Sequence, residues 1–328
     1  MRKVSYTLAI LVLQLLCSCY QDLELDNETT PYTVINCIAN TDADILADVS
    51  KSWFYTESNP SEHISGLPIE VYVNGLFMGM MNDRNGIYKS NFHPHSGDSI
   101  CIKTVIEGKE VSANGRMPEK PEITKVEVTH VEVPGIGSGY YDSEYEFVSD
   151  TDHQFTYHIT FKNPKEKRYY FLEIKVIGNK SSLGSMDYSY DPVFRLTSER
   201  INQTLSSASI SGQFGLPFSN EGIDGGEYTL TVKETGSVFE YMSGDKCGRV
   251  ITLYAISEDY YKYVLSLLAN DSEASWQGGL ADIGLAEPVK IHSNINGGIG
   301  IFGCITPARV EKNIFSSMDP NSGKIFVP

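Results

Sequence analysis

The tightest constraint in the sequence is a run in which Phe155, Tyr157, Ile159 and Phe161 alternate with Thr156, His158, Thr160 and Lys162. Successive side chains of a β-strand point to opposite faces, so this run fits a strand with one apolar and one polar face and does not fit a helix. The same period returns at Ile69, Val71 and Val73 against Glu70, Tyr72 and Asn74, and at Ile100, Ile102, Thr104 and Ile106 against Cys101, Lys103 and Val105. Asn74-Gly75 supplies the positive φ angles of a tight hairpin turn, Asn85-Gly86 opens the strand Ile87–Ser90, and Glu107-Gly108-Lys109 turns the chain into Glu110–Ala113. A chain punctuated in this way is mainly β.

The organisation expected is an N-terminal immunoglobulin-like β-sandwich over residues 31–117, with Thr33–Ala39 and Val49–Tyr55 as further strands, and a larger β-rich domain over 123–328. Between them, Met117-Pro118-Glu119-Lys120-Pro121 is read as a stiff linker at 118–122, because proline stays extended and donates no ladder hydrogen bond. In the second domain Ile123–Val133 leads to a flexible glycine-rich loop at Gly135–Gly139, and Arg168–Ile177 reads as a strand covered on both faces. Tyr228, Leu230 and Val232 mark another strand, and Val250–Ile256 a further one. The stretch Asn179–Gly226, rich in Ser, Gly, Asn and Tyr, reads as a long connection. One helix is conspicuous: Ser257 caps Glu258–Asn270, acids fill its first turn, and Tyr261, Val264, Leu265 and Leu268 form an apolar stripe. Strands are expected at Pro288–Ile291, Ile299–Thr306 and Arg309–Ile314.

The N-terminus sets the expected location. Arg2 and Lys3 precede the apolar run Val4–Leu16, too short for a permanent span, and then Leu16-Cys17-Ser18-Cys19. This resembles a bacterial lipobox, which implies that residues 1–18 are a signal peptide cleaved after Ser18 and that Cys19 carries acyl chains. At roughly 0.8 kcal/mol per buried methylene, two or three such chains hold a protein on a bilayer. Residues 19–30 then form an acidic tether, similar to a surface-export signal. Loss of Arg2 and Lys3 changes the formal charge from −16 to 24 − 42 = −18. Such a surface repels nucleic acid and keeps an anchored protein soluble.

Besides the acylated Cys19, four cysteines remain in the mature chain, Cys37, Cys101, Cys247 and Cys304, and allow three pairings. Cys37 with Cys101 and Cys247 with Cys304 would each stay within one domain, while free buried thiols are the other reading. Their spacings match no zinc pattern. His93-Pro94-His95 reads as a surface loop, and the acids Asp142, Glu144, Glu146, Asp150 and Asp152 as a solvated face. Gly298-Ile299-Gly300-Ile301-Phe302-Gly303 fits GxGxxG, yet it lies inside an expected strand and not at a strand-to-helix turn, so it reads as a closely packed strand. No nucleophile elbow or phosphate-binding loop stands out, and no cofactor is expected.

The segment Glu287-Pro288-Val289-Lys290-Ile291-His292-Ser293-Asn294-Ile295-Asn296-Gly297-Gly298-Ile299-Gly300-Ile301-Phe302-Gly303 resembles the C-terminal signature of the family catalogued as domain of unknown function 4249. Its marked positions are Glu287, Pro288, Ser293, Asn294, Gly297, Gly298, Gly300, Phe302 and Gly303, and Cys304 departs from the small residue expected next. Pro68–Val73, Gly86-Ile87-Tyr88, Gly108-Lys109, Met117-Pro118 and Tyr260–Leu268 fall in the same family's order. The resemblance implies a Bacteroidetes outer-membrane lipoprotein, anchored at the cell surface or the periplasmic face, often beside a TonB-dependent transporter and without an established catalytic site. The expected function is a non-catalytic accessory or binding subunit of such a transporter. A surface adhesin or structural subunit is the second reading, and a glycan or peptide hydrolase the third.

Overall fold

The computed structural model describes residues 31–52, 62–177, 184–201, 209–210, 213–237, 248–271, 276–314, 317–318 and 325–326. Ser18, Cys19, the tether, Cys247 and the end of the expected strand Val49–Tyr55 lie outside the described residues. Within them the chain is mainly β.

A nine-stranded sheet forms the frame. In spatial order it runs β13 (Ser209–Ile210), β14 (Gln213–Ser219), β11 (Tyr169–Val176), β16 (Gly248–Ile256), β17 (Ile299–Asn313), β1 (Thr33–Asn40), β2 (Leu46–Lys51), β6 (Ile87–Lys89) and β5 (Asn82–Arg84). Two four-stranded sheets pack on it: β4 (Leu76–Met80), β3 (Glu70–Val73), β7 (Ser99–Ile106) and β8 (Lys109–Arg116) near one end, and β12 (Ser185–Asp187), β15 (Gly226–Ser237), β10 (Phe147–Asn163) and β9 (Ile123–Tyr141) near the other. Ile35, Cys37 and Ala39 of β1 meet Val71, Ile100, Ile102 and Val111 in the first core. Phe155, Tyr157, Ile159 and Phe161 meet Leu172, Ile174, Ile251 and Leu253 in the second, each buried aromatic or aliphatic contributing roughly 1.5–3 kcal/mol. The alternation read from sequence thus selects the buried face of β10.

The junction differs from two modules on a stiff linker. The core does change near 118–122, but β1 pairs in parallel with β17, from Val34↔Ile299 to Asn40↔Ile305, and β17 pairs on its other edge with β16. Phe302 and Cys304 of the last long strand therefore pack in the first core. Residues Tyr32–Pro328 make one compact unit, because the returning strand ties both cores into one sheet.

Other differences have local causes. β9 continues through Gly135–Gly139 as strand, since β10 supplies a partner as far as Tyr141↔Phe147, with the register shift between Ser149 and Thr151 absorbing the irregularity. The two C-terminal strands are one strand: Pro307 falls past the last β1 pair, where its missing N–H leaves no ladder bond unmade. Pro288–Ile291 is not a strand; Val289 is instead held by Asn270, which donates to its carbonyl at 2.6 Å and accepts from its N–H at 2.8 Å. Within 179–226 lie β12, β13, β14 and helix α1 (Pro192–Ile201). Asp191 accepts from the Val193 N–H at 3.1 Å with Pro192 at the first helical position, a start signal present in the sequence. Helix α2 (Glu258–Asn270) has the bounds and the Ser257 cap expected, and α3 (Trp276–Asp282) follows it.

Candidate functional site

The glycine-rich signature is a joint between cores. A Cβ on Gly300, which has φ +114°, would lie 2.2 Å from the Ile35 carbonyl oxygen, and one on Gly297 2.5 Å from that of Glu110. At Gly303 the obstacle is the Tyr260 ring of α2, at 2.6 Å. Only glycine permits these approaches. Asn294 binds Phe302 through both ends of its amide, at 3.0 and 2.8 Å. Ser293 accepts weakly from the Ile295 N–H at 3.4 Å, and His292 reaches Asp259 at 2.9 Å. Glu287 and Pro288 lie in the connection ahead of this joint. These contacts fix backbone and leave no cradle for a phosphate.

The cysteines occupy unexpected relations. Cys37, Cys101 and Cys304 are free thiols. Cys37 is buried in the first core, whereas Cys101 faces out from β7 between buried Ile100 and Ile102, so sheet thickness separates the expected pair. Cys304 belongs to that same first core, with its sulfur where a Cβ on Gly115 would stand, and burial pushes its thiol up to about 12. Such thiols are inert packing groups.

Polar chemistry is mostly structural. Glu234 and Arg249, 0% and 2% exposed, form a two-point ion pair at 2.8 and 3.1 Å, and the Tyr157 hydroxyl donates to the same carboxylate. His130 Nε2 lies 2.8 Å from His153 Nδ1 across the β9–β10 pair. His93 and His95 turn to different carboxylates, Asp44 at 2.7 Å and Asp98 at 3.6 Å. Asp142 holds its own hairpin turn, accepting from the Glu144 and Glu146 N–H groups. Among the described residues no cluster of three or more His, Cys, Asp or Glu has metal-binding geometry.

Among the described residues, two surfaces stand out. β4 is the edge of its sheet, hydrogen-bonded only to β3, and its Leu76, Phe77, Met78 and Met80 are exposed, Leu76 by 70% and Phe77 by 55%. Met78 is extruded by a register shift between Val71 and Tyr72. No charge or proline interrupts Leu76–Met81, so the bulge at Met78 and the strand's short length are what blunt this edge. The Asn74-Gly75 turn in the sequence implies a returning strand here but not its exposure, because an apolar strand reads as a buried one.

The second surface is an open cleft of about 400 Å³ where 119–122 meets the β10–β11 turn, lined by Glu119, Lys120, Glu122, Lys162, Arg168 and Tyr170 among others. Asn220 pins the 163–168 turn that lines it. Its amide nitrogen donates to Asn163 Oδ1 and to the carbonyls of Pro164 and Glu166, and its oxygen accepts from the Arg168 N–H at 2.7 Å. Lys162 is tied to Glu122 at 2.7 Å. Tyr170, 3% exposed, stacks on Phe218 at 5.2 Å, and burial raises its phenol to about 12 while Arg168 opposes the rise.

Within the described residues, a mainly β unit with a glycine-built joint, an open edge and a polar cleft has a β-sandwich-like fold. The family model described as "Domain of unknown function (DUF4249)" matches residues 20–311, and the chain belongs to that family. No curated protein matches it. Among solved structures, an α-L-rhamnosidase from Dictyoglumus thermophilum is similar at 12% identity and a TM-score of 0.26, over 70% of this chain and 28% of that one. The chain spans under a third of that enzyme, and a likeness so slight carries no argument about fold or activity.

Proposed function

We propose that the chain is an outer-membrane-anchored lipoprotein that serves as a non-catalytic accessory or binding subunit of a TonB-dependent transporter, with Cys19 as the lipid attachment and β4 as the docking edge. The observation that carries the reading is the open, uncharged β4 strand, whose free N–H and C=O groups suit an extended segment of a partner while Phe77 and Met78 supply apolar contact. Charge favours a different protein over a second copy, because two mature chains of net charge −18 (24 − 42) repel each other. The tether favours a partner on the same membrane. Thirteen residue steps from Cys19 to Tyr32 reach at most about 45 Å, which raises the local concentration of any neighbour on that bilayer.

The test compares the parent chain with Cys19→Ser and with a Phe77→Lys/Met78→Lys double variant, after gentle solubilisation and identification of bound proteins. The expected result is a transporter bound to the parent, a double variant still in membranes but alone, and a Cys19→Ser chain lost from the membrane fraction. A double variant that keeps the same transporter, or a parent that carries none, contradicts the reading.

A further inference from the structure

We propose that the cleft beside residues 119–122 binds a small hydroxylated carboxylate, held by the Arg168 guanidinium and the Tyr170 hydroxyl. Three observations lead there. Among the described residues the Arg168 guanidinium makes no ion pair or hydrogen bond, although the loop that carries it is fixed at several points by Asn220. The Tyr170 side chain is almost wholly buried, lines the cleft, and its hydroxyl is likewise without a hydrogen bond among these residues. A half-buried guanidinium and a buried phenol left open to one space form a matched set of donors.

Charge narrows the ligand. Lys120, Lys162 and Arg168 against Glu119 and Glu122 leave the lining at +1, on a mature chain whose net charge is −18 (24 − 42). A planar guanidinium meets a carboxylate with two parallel hydrogen bonds. The two glutamates oppose a dianion such as phosphate, whereas a single negative charge is matched. The Glu122–Lys162 pair presents an acceptor and donors at the rim, which suit hydroxyl groups on the body of the ligand. The volume lies within the roughly 300–1,000 Å³ of small-molecule sites. A sugar acid satisfies all of these conditions.

The experiment is calorimetric titration of the mature chain with D-glucuronate, D-glucose, N-acetylalanine and inorganic phosphate at low salt. The expected result is glucuronate binding with Kd about 1 mM or tighter, and each of the other three at least about tenfold weaker. Arg168→Gln is expected to weaken glucuronate by about tenfold or more, Arg168→Lys by less, and Tyr170→Phe by about threefold or more, all with the parent's melting temperature. No glucuronate binding, glucose or phosphate binding as tightly, or an Arg168→Gln chain that binds like the parent would overturn the proposal. Equal binding of N-acetylalanine would remove the hydroxyl requirement and so overturn the ligand class. The Phe77→Lys/Met78→Lys chain is expected to bind glucuronate normally, so the outcome here is separate from that of docking at β4.

Discussion

Asn294 stands in for a strand at the edge of Phe302: its amide nitrogen donates to the Phe302 carbonyl at 3.0 Å and its amide oxygen accepts from the Phe302 N–H at 2.8 Å. Phe302 is itself wholly buried in the first core, so the clamp sets the entry of the strand that joins both cores.

Asn294→Ala removes both bonds and leaves two backbone groups to find water. The expected loss is about 2–4 kcal/mol of unfolding free energy, read by urea titration. Asn294→Asp keeps the acceptor and loses the donor, and is expected to fall between parent and alanine variant.

Glycine substitutions separate close approach from turn strain. Gly300→Ala drives a Cβ into the Ile35 carbonyl at a φ of +114°, and the expected cost is roughly 3 kcal/mol or more. Gly108→Ala, with φ +78° and nothing within 4 Å, is expected to cost only about 1–2 kcal/mol. Equal melting temperatures for the two would contradict the packing argument.

The pair Glu234–Arg249 is buried with its charges matched. Arg249→Met leaves Glu234 uncompensated beside Tyr157, and the expected destabilisation is about 3–5 kcal/mol. The double change Arg249→Met/Glu234→Leu is expected to recover part of that loss, which a double-mutant cycle measures directly.

Acid sensitivity should appear through His130. Burial and then the neighbouring His153 hold its imidazole below the ordinary range, with Glu132 opposing. The folded state thus binds fewer protons than the unfolded one in mild acid. Stability from this site is full above the unfolded value of about 6.5 and falls as pH drops through it toward the folded value. His130→Gln is expected to flatten the melting temperature between about pH 7.5 and pH 5.5 relative to the parent. Loss at lower pH, from ion-paired carboxylates such as Asp44 and Glu258, should remain.

What the sequence showed was local. Phe155–Phe161 gave the buried face of β10, Asn74-Gly75 takes φ +52° and +81° in the hairpin expected of it, and Ser257 caps α2. Two features depend on distant chain and were hidden. Nothing near Val34 signals its partner Ile299, and the cleft is assembled from Lys120, Arg168, Tyr170 and Gly226, which only topology brings together. The exposure of Phe77 was hidden for another reason: an apolar residue on an outer edge has the same local pattern as one in a core.

The most direct test of docking at β4 is site-specific photo-crosslinking from position 78 in intact cells, with position 105, also exposed but on β7, as the control. The expected result is a covalent adduct between position 78 and an outer-membrane transporter, weak or missing at position 105 and lost when Phe77→Lys is added. Adducts only with a second copy of the chain, or none at position 78, would contradict it.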